Sequence, residues 1–116
     1  MSKLKLIEIV ETVDGELLAG ENIENCFIGK IYAGDRISDL IVNASGETLI
    51  VTHINNISLL QLLELFDIPA VCLVSQSYPD EKVIDKVRER RGVLFSSRYD
   101  MFETCGRIYK LFNNTP

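Results

Sequence analysis

The sequence predicts a three-layer α/β/α sandwich around a mostly parallel sheet, and three observations carry that prediction. The apolar runs Thr48–Thr52, Ala70–Val74 and Val93–Phe95 are continuous rather than alternating, as in strands buried on both faces. Segments with apolar residues at helical spacing separate them. The strand-then-helix order repeats along the chain, and parallel strands need such crossovers.

Taken in order, Leu4 to Val13 places Leu6, Ile9, Val10 and Val13 on one helical face, closed by Asp14-Gly15. Glu16–Ala19 and Cys26–Ala33 read as strands, the second ending at Gly34. Asp35 to Asn43 fits a short helix with Ile37, Leu40 and Ile41 inward. Strand Thr48–Thr52 follows the turn Ser45-Gly46, and Ser58 is the expected N-cap of a helix through Phe66. After strand Ala70–Val74, Pro79 suits the first turn of a helix that buries Val83, Ile84 and Val87 and stops at Gly92. Strand Val93–Phe95 leads to Asp100 and Glu103, which have capping-box spacing. The last helix takes Phe102, Cys105, Ile108, Tyr109 and Phe112 as its apolar positions.

The length of 116 residues fits one domain spanning 1–116, large enough to bury a core without metal or disulfide staples. The net charge of −5 disfavours nucleic acid and anionic lipid, which require clustered Lys and Arg. Arg88, Arg90 and Arg91, with Lys82 and Lys86, are interleaved with Glu81, Asp85 and Glu89, as on a solvated helix face. No apolar run is long enough for a membrane span, and Glu8 and Glu11 interrupt the start of the chain, unlike a signal peptide. The expected location is the cytoplasm. Cys26, Cys72 and Cys105 form no C-x-x-C pair, so neither zinc nor a redox centre is expected, and they read as small core hydrophobes.

One helix is apolar nearly all round: Leu59, Leu60, Leu62, Leu63, Leu65 and Phe66 leave only Gln61 and Glu64 polar. Such a helix lies deep in a core or in a subunit interface. The small size of the chain favours the interface, with Leu59, Leu62, Leu63 and Phe66 as candidate contacts of a homodimer.

A ligand on an open parallel sheet sits beyond the carboxyl ends of the strands. Those junctions are polar here. Asp35, Ser38 and Asp39 follow one strand, and His53 and Asn55 follow another that ends at Thr52. Ser75 and Ser77 follow the third, and Ser96, Ser97 and Arg98 lie at the fourth. Hydroxyls, amides and one guanidinium at helix starts suit a small-molecule or nucleotide ligand. The same residue types also serve as ordinary caps and turns. His53 is the sole histidine. With Asp35 or Asp39 as acid/base groups it is the basis of a rival reading, a small enzyme. The phosphate-loop motif is absent, since Gly29-Lys30 is followed by Ile31, and no G-x-G-x-x-G occurs. No catalytic residue, metal site or cofactor is expected.

The series Tyr32-Ala33-Gly34-Asp35 with Ser38-Asp39, Thr52-His53-Ile54-Asn55, Pro79-Asp80-Glu81, Ser96-Ser97, Phe102-Glu103 and Gly106-Arg107 resembles the DRTGG-domain family. The resemblance covers essentially the whole chain. It implies a three-layer fold like that of MurF and of the N-terminal domain of HPr kinase/phosphorylase. It also implies a stand-alone version of a regulatory or dimerising module, of the kind that accompanies phosphotransacetylase and CBS-domain pyrophosphatases. The chain departs from the family at its name-giving residues. Gly46-Glu47-Thr48 stands where the family has Gly-Asp-Arg, and Ser75-Gln76-Ser77 where it has Thr-Gly-Gly. Kinase activity is not implied, because the phosphate loop of HPr kinase belongs to a domain this chain lacks. The sequence thus predicts a non-catalytic, homodimeric module that senses a small polar or phosphorylated metabolite or docks on a metabolic enzyme. A purely structural dimerisation subunit is the alternative, beside the small enzyme.

Overall fold

The computed structural model describes residues 3–114; Met1, Ser2, Thr115 and Pro116 of the expected 1–116 unit lie outside them. The strands are β1 (Leu4–Lys5), β2 (Glu16–Ala19), β3 (Phe27–Ile28), β4 (Lys30–Ala33), β5 (Thr48–Thr52), β6 (Ala70–Leu73) and β7 (Val93–Ser96). The helices are α1 (Leu6–Thr12), α2 (Ile37–Asn43), α3 (Ile57–Leu65), α4 (Glu81–Glu89) and α5 (Met101–Asn113), with a 3-10 turn at Ile23–Asn25.

The main sheet runs β2-β7-β6-β5-β4, with β4 to β7 parallel and β2 antiparallel on the β7 edge. Every residue of β5, β6 and β7 is buried, which is why their runs are apolar throughout. Alternation within those runs sorts the side chains into two layers. Leu49, Val51, Ala70, Cys72, Val93 and Phe95 meet α1 and α5. Ile50, Val71, Leu73 and Leu94 meet α2, α3 and α4. The fold is the expected three-layer α/β/α sandwich.

Several local expectations are corrected. The first helix begins at Leu6, because Leu4–Lys5 pairs antiparallel with Phe27–Ile28. The expected strand Cys26–Ala33 therefore divides at Gly29: β3 serves this small ladder, while β4 joins β5. Ile41 lies at the surface rather than inward, and Leu40 is the fully buried residue of α2. Asn56 replaces Ser58 as the N-cap of α3, its side chain accepting from the Ser58 N–H at 3.0 Å. Asp80 caps α4, accepting from the Lys82 N–H at 2.9 Å, so Pro79 lies before the helix. Both α1 and α4 end in Schellman motifs, in which Asp14 (φ 48°) and Arg91 (φ 56°) take the left-handed position one residue before the glycine.

The apolar helix α3 is core. Leu59, Leu62 and Leu63 are buried inside the chain itself, leaving Phe66 half-buried. The reason is placement: α3 is the middle of three helices, with α2 and α4 beside it and the sheet below. Those covered sides take Leu59, Leu62 and Leu63, so these three leucines are unavailable to a second subunit, while Leu65 and Ile57 stay exposed on the remaining side. The opposite correction applies to α5, where Phe102 is 89% and Tyr109 71% exposed although the sequence assigns both to the core. Ile108 is the position that plugs inward.

Candidate functional site

The carboxyl ends of β4, β5, β6 and β7 stand side by side. Asp35, just beyond β4, gathers the end of β5 around its carboxylate. One oxygen accepts from the Thr52 hydroxyl at 2.9 Å and from the His53 N–H at 2.7 Å. The other meets His53 Nδ1 at 2.8 Å. Burial disfavours the ionised carboxyl, but these hydrogen bonds from His53 and Thr52 outweigh it and hold Asp35 below the ordinary aspartate value. An ionised carboxylate only accepts, so Nδ1 carries the donated proton, and the ring itself is half-exposed. Thr52 is itself fully buried and accepts from the Ile54 N–H, so it acts through Asp35 rather than on a ligand.

The next junction, β6 to β7, is where the connections diverge. The chain leaves β6 for α4 on one face of the sheet and leaves β7 for α5 on the other. Adjacent connections that part in this way open a crevice at the sheet edge. Here it is closed by backbone. Ser75 donates its N–H to Tyr99 O at 2.7 Å, and Gln76 donates to Ser97 O at 2.8 Å. Making both bonds puts Ser75 at φ 60° and Gln76 at φ 53°, two successive non-glycine residues in the left-handed region. Each costs about 1–2 kcal/mol relative to ordinary backbone. Of the two, Gln76 falls where the family resemblance has the first glycine of its Thr-Gly-Gly, and Ser75 falls at the threonine.

The other expected site residues divide clearly. Asn55 donates to Ser77 Oγ at 2.5 Å and ties the β5 loop to the β6 loop. Arg98 is exposed, and its guanidinium has no ion-pair partner among the described residues. Ser38 and Asp39 sit on exposed α2; Asp39 is 4.0 Å from Arg36 and is not brought to His53. Ser96 and Ser97 are buried and cannot reach a ligand. Ser97 belongs to a closed ring. Tyr99 N–H donates to Ser97 Oγ at 3.1 Å, and the Thr104 hydroxyl donates to Tyr99 O at 3.1 Å. Thr104 has no second proton, so the 2.6 Å contact must run from the Ser97 hydroxyl to Thr104 Oγ1.

Sequence reasoning missed Gln76, whose conformation no glycine announces, and a cluster behind the β7 turn. There Tyr99 hydrogen-bonds Asp14, while Arg107 stacks 3.9 Å over the Tyr99 ring and binds Glu103 at 2.9 Å. That cluster pins α5 to the end of α1, where Arg107 also donates to Thr12 O at 3.2 Å. Among the described residues no three His, Cys, Asp or Glu side chains converge as metal ligands. No described helix is long and apolar enough to cross a membrane.

No protein-family model and no curated protein sequence matches the chain. Among solved structures it is similar to the CBS and DRTGG domains of the regulatory region of Clostridium perfringens pyrophosphatase, a structure complexed with the activator diadenosine tetraphosphate. The TM-score is 0.77 at 14% identity, covering 90% of this chain and 45% of that one, so the chain spans about half the length of its neighbour. A likeness at that identity is a likeness of fold. The fold of this chain, an α/β sandwich, is thus similar to that of a solved regulatory region containing a DRTGG domain.

Proposed function

We propose that this chain is a non-catalytic regulatory module that acts as a homodimer in the cytoplasm. It binds a small polar or phosphorylated metabolite in the crevice between β6 and β7 and passes that signal to a metabolic enzyme. The observation that carries the reading is the closed loop Ser75-Gln76. Two successive residues in left-handed backbone at a sheet switch point store strain where a ligand would enter. A ligand that supplies acceptors to the two amides releases the loop from Ser97 and Tyr99. Arg98, just beyond β7, offers a phosphate a cation that has no ion-pair partner among the described residues, and the half-exposed His53 ring offers a second polar group. The solved neighbour's complex with a nucleotide activator supports the ligand class.

The test is isothermal calorimetry and thermal denaturation of the full chain against mononucleotides, diadenosine polyphosphates and inorganic polyphosphate. A true ligand at 100 times its Kd adds about 2.7 kcal/mol of stability. Arg98→Ala is expected to weaken a phosphorylated ligand selectively. Uniform silence across the series ends the metabolite reading.

A further inference from the structure

A groove of about 720 Å³ runs between β4 and the outer side of α5. It lies on a different edge of the molecule from the β6–β7 crevice. Phe102 and Tyr109 form its wall, and they are the most exposed aromatic side chains of α5. Ile31 and Ala33 of β4 line it from below, and Lys30 is the one charged lining residue. Gly106 faces the same groove from mid-helix, where a Cβ would meet nothing within 4 Å. Nothing inside the chain calls for a residue that weakens a helix interior at that point.

Beside this groove the sheet is open. β4 is an edge strand, paired with β5 alone among the described residues. The N–H groups of Lys30 and Gly34 turn towards the β5 side, to Glu47 O and Val51 O. Backbone groups alternate along a parallel strand, so those of Ile31 and Ala33 point off the free edge. An open edge flanked by apolar surface is a template for another strand.

We propose that this face joins two copies of the chain about a two-fold axis through β4, giving one continuous sheet with the two α5 helices above the seam. This dimer surface rests on the homodimeric part of the function proposed above. The occupant follows from self-complementarity. Ile31 and Ala33 lie symmetrically about Tyr32, so Ile31 of one copy falls opposite Ala33 of the other in an antiparallel hydrogen-bonded pair. α5 packs over β5, so the two helices stand about three strand spacings, ~14 Å, apart. Phe102 and Tyr109 from both sides span that gap, and each Gly106 leaves room for an opposing ring. From their exposure, these two aromatics supply about 330 Å² per copy, some two fifths of the ~800 Å² per partner of a standard interface. With Lys30 as the one lining charge, the net charge of −5 is not gathered at the seam.

Sedimentation velocity of the full chain over a concentration series tests this. The wild type is expected to be dimeric. Gly106→Lys enters open space in the monomer and is expected to keep the circular dichroism and melting temperature of a folded chain. It should weaken the dimer by about 30-fold or more, as should Phe102→Glu. A monomeric wild type overturns both this surface and the homodimeric part of the proposed function. A dimer that survives either substitution overturns this surface alone. Calorimetry on folded Gly106→Lys reads metabolite binding separately, so its loss or retention does not bear on the interface.

Discussion

Replacing Gln76 with glycine probes whether the loop that closes the β6–β7 crevice is strained. Gln76 sits at φ 53° with its N–H committed to Ser97 O at 2.8 Å. An L-residue there costs about 1–2 kcal/mol over a right-handed conformation. Glycine removes that cost but adds unfolded-state freedom worth about 0.5–1 kcal/mol. The side chain is exposed and makes no hydrogen bond among the described residues, so little else is lost. Gln76→Gly is therefore expected to stabilise the chain by about 0.5–1 kcal/mol. The double change with Ser75→Gly should roughly double that, since both residues share the conformation. For a domain of this size the single change raises Tm by about 2–5 °C. Urea denaturation followed by circular dichroism measures it, with Gln76→Val as the control, because a β-branched residue tolerates positive φ least. If Gln76→Gly lowers the urea midpoint while Gln76→Val leaves it unchanged, the loop is not strained and the reasoning fails.

Other outcomes follow from the same geometry. Asp35 is held below its ordinary value, so its contribution to stability is complete above the unfolded aspartate value, about 3.9, and is lost as pH falls through the lower folded value. The stability gap between wild type and Asp35→Asn should thus be widest above about pH 5 and close under acid, as read from urea midpoints across pH; a gap independent of pH would falsify the assignment. Leu62→Glu places a charge in a fully covered position and is expected to unfold the chain; a folded monomer by circular dichroism and sedimentation would return α3 to the surface. Burial raises the thiol values of Cys72, Cys26 and Cys105. Cys72 is fully enclosed, so a thiol reagent should reach it only in denaturant, and fast labelling in native buffer contradicts the packing.

The strands were legible because Thr48–Thr52, Ala70–Leu73 and Val93–Ser96 are buried on both faces, and double burial writes itself as continuous apolar sequence. The cap at Asp100 was legible for a local reason, since its partner, the Glu103 N–H, is three residues away. Failures came where a non-local neighbour decides. Periodicity says which face of α3 is apolar but not how many elements cover it, so Leu59, Leu62 and Leu63 read as an interface. Phe102 and Tyr109 share their spacing with the buried Ile108 side of α5, and only the position of the β4 edge separates outside from inside. Within the candidate site, Asp35 and His53 are linked because β4 and β5 are neighbours, which the order of elements already suggested. Ser96 and Ser97 look no different from exposed serines in sequence, and their burial is set by the strand they end. The left-handed loop could not be read at all, because Ser75 and Gln76 adopt a glycine's conformation without being glycine.

The hydroxyl ring behind the β7 turn limits how this chain can drift. Ser97 donates its hydroxyl proton to Thr104, Thr104 donates its own to Tyr99 O, and the Tyr99 amide donates back to Ser97, so each hydroxyl proton has one assigned acceptor. Serine at position 104 preserves that circulation. Valine there keeps the shape of threonine but strands the buried Ser97 hydroxyl, at a cost of about 1–3 kcal/mol. The two positions are thus coupled in what they accept: a change here keeps the turn intact only by trading one hydroxyl for another.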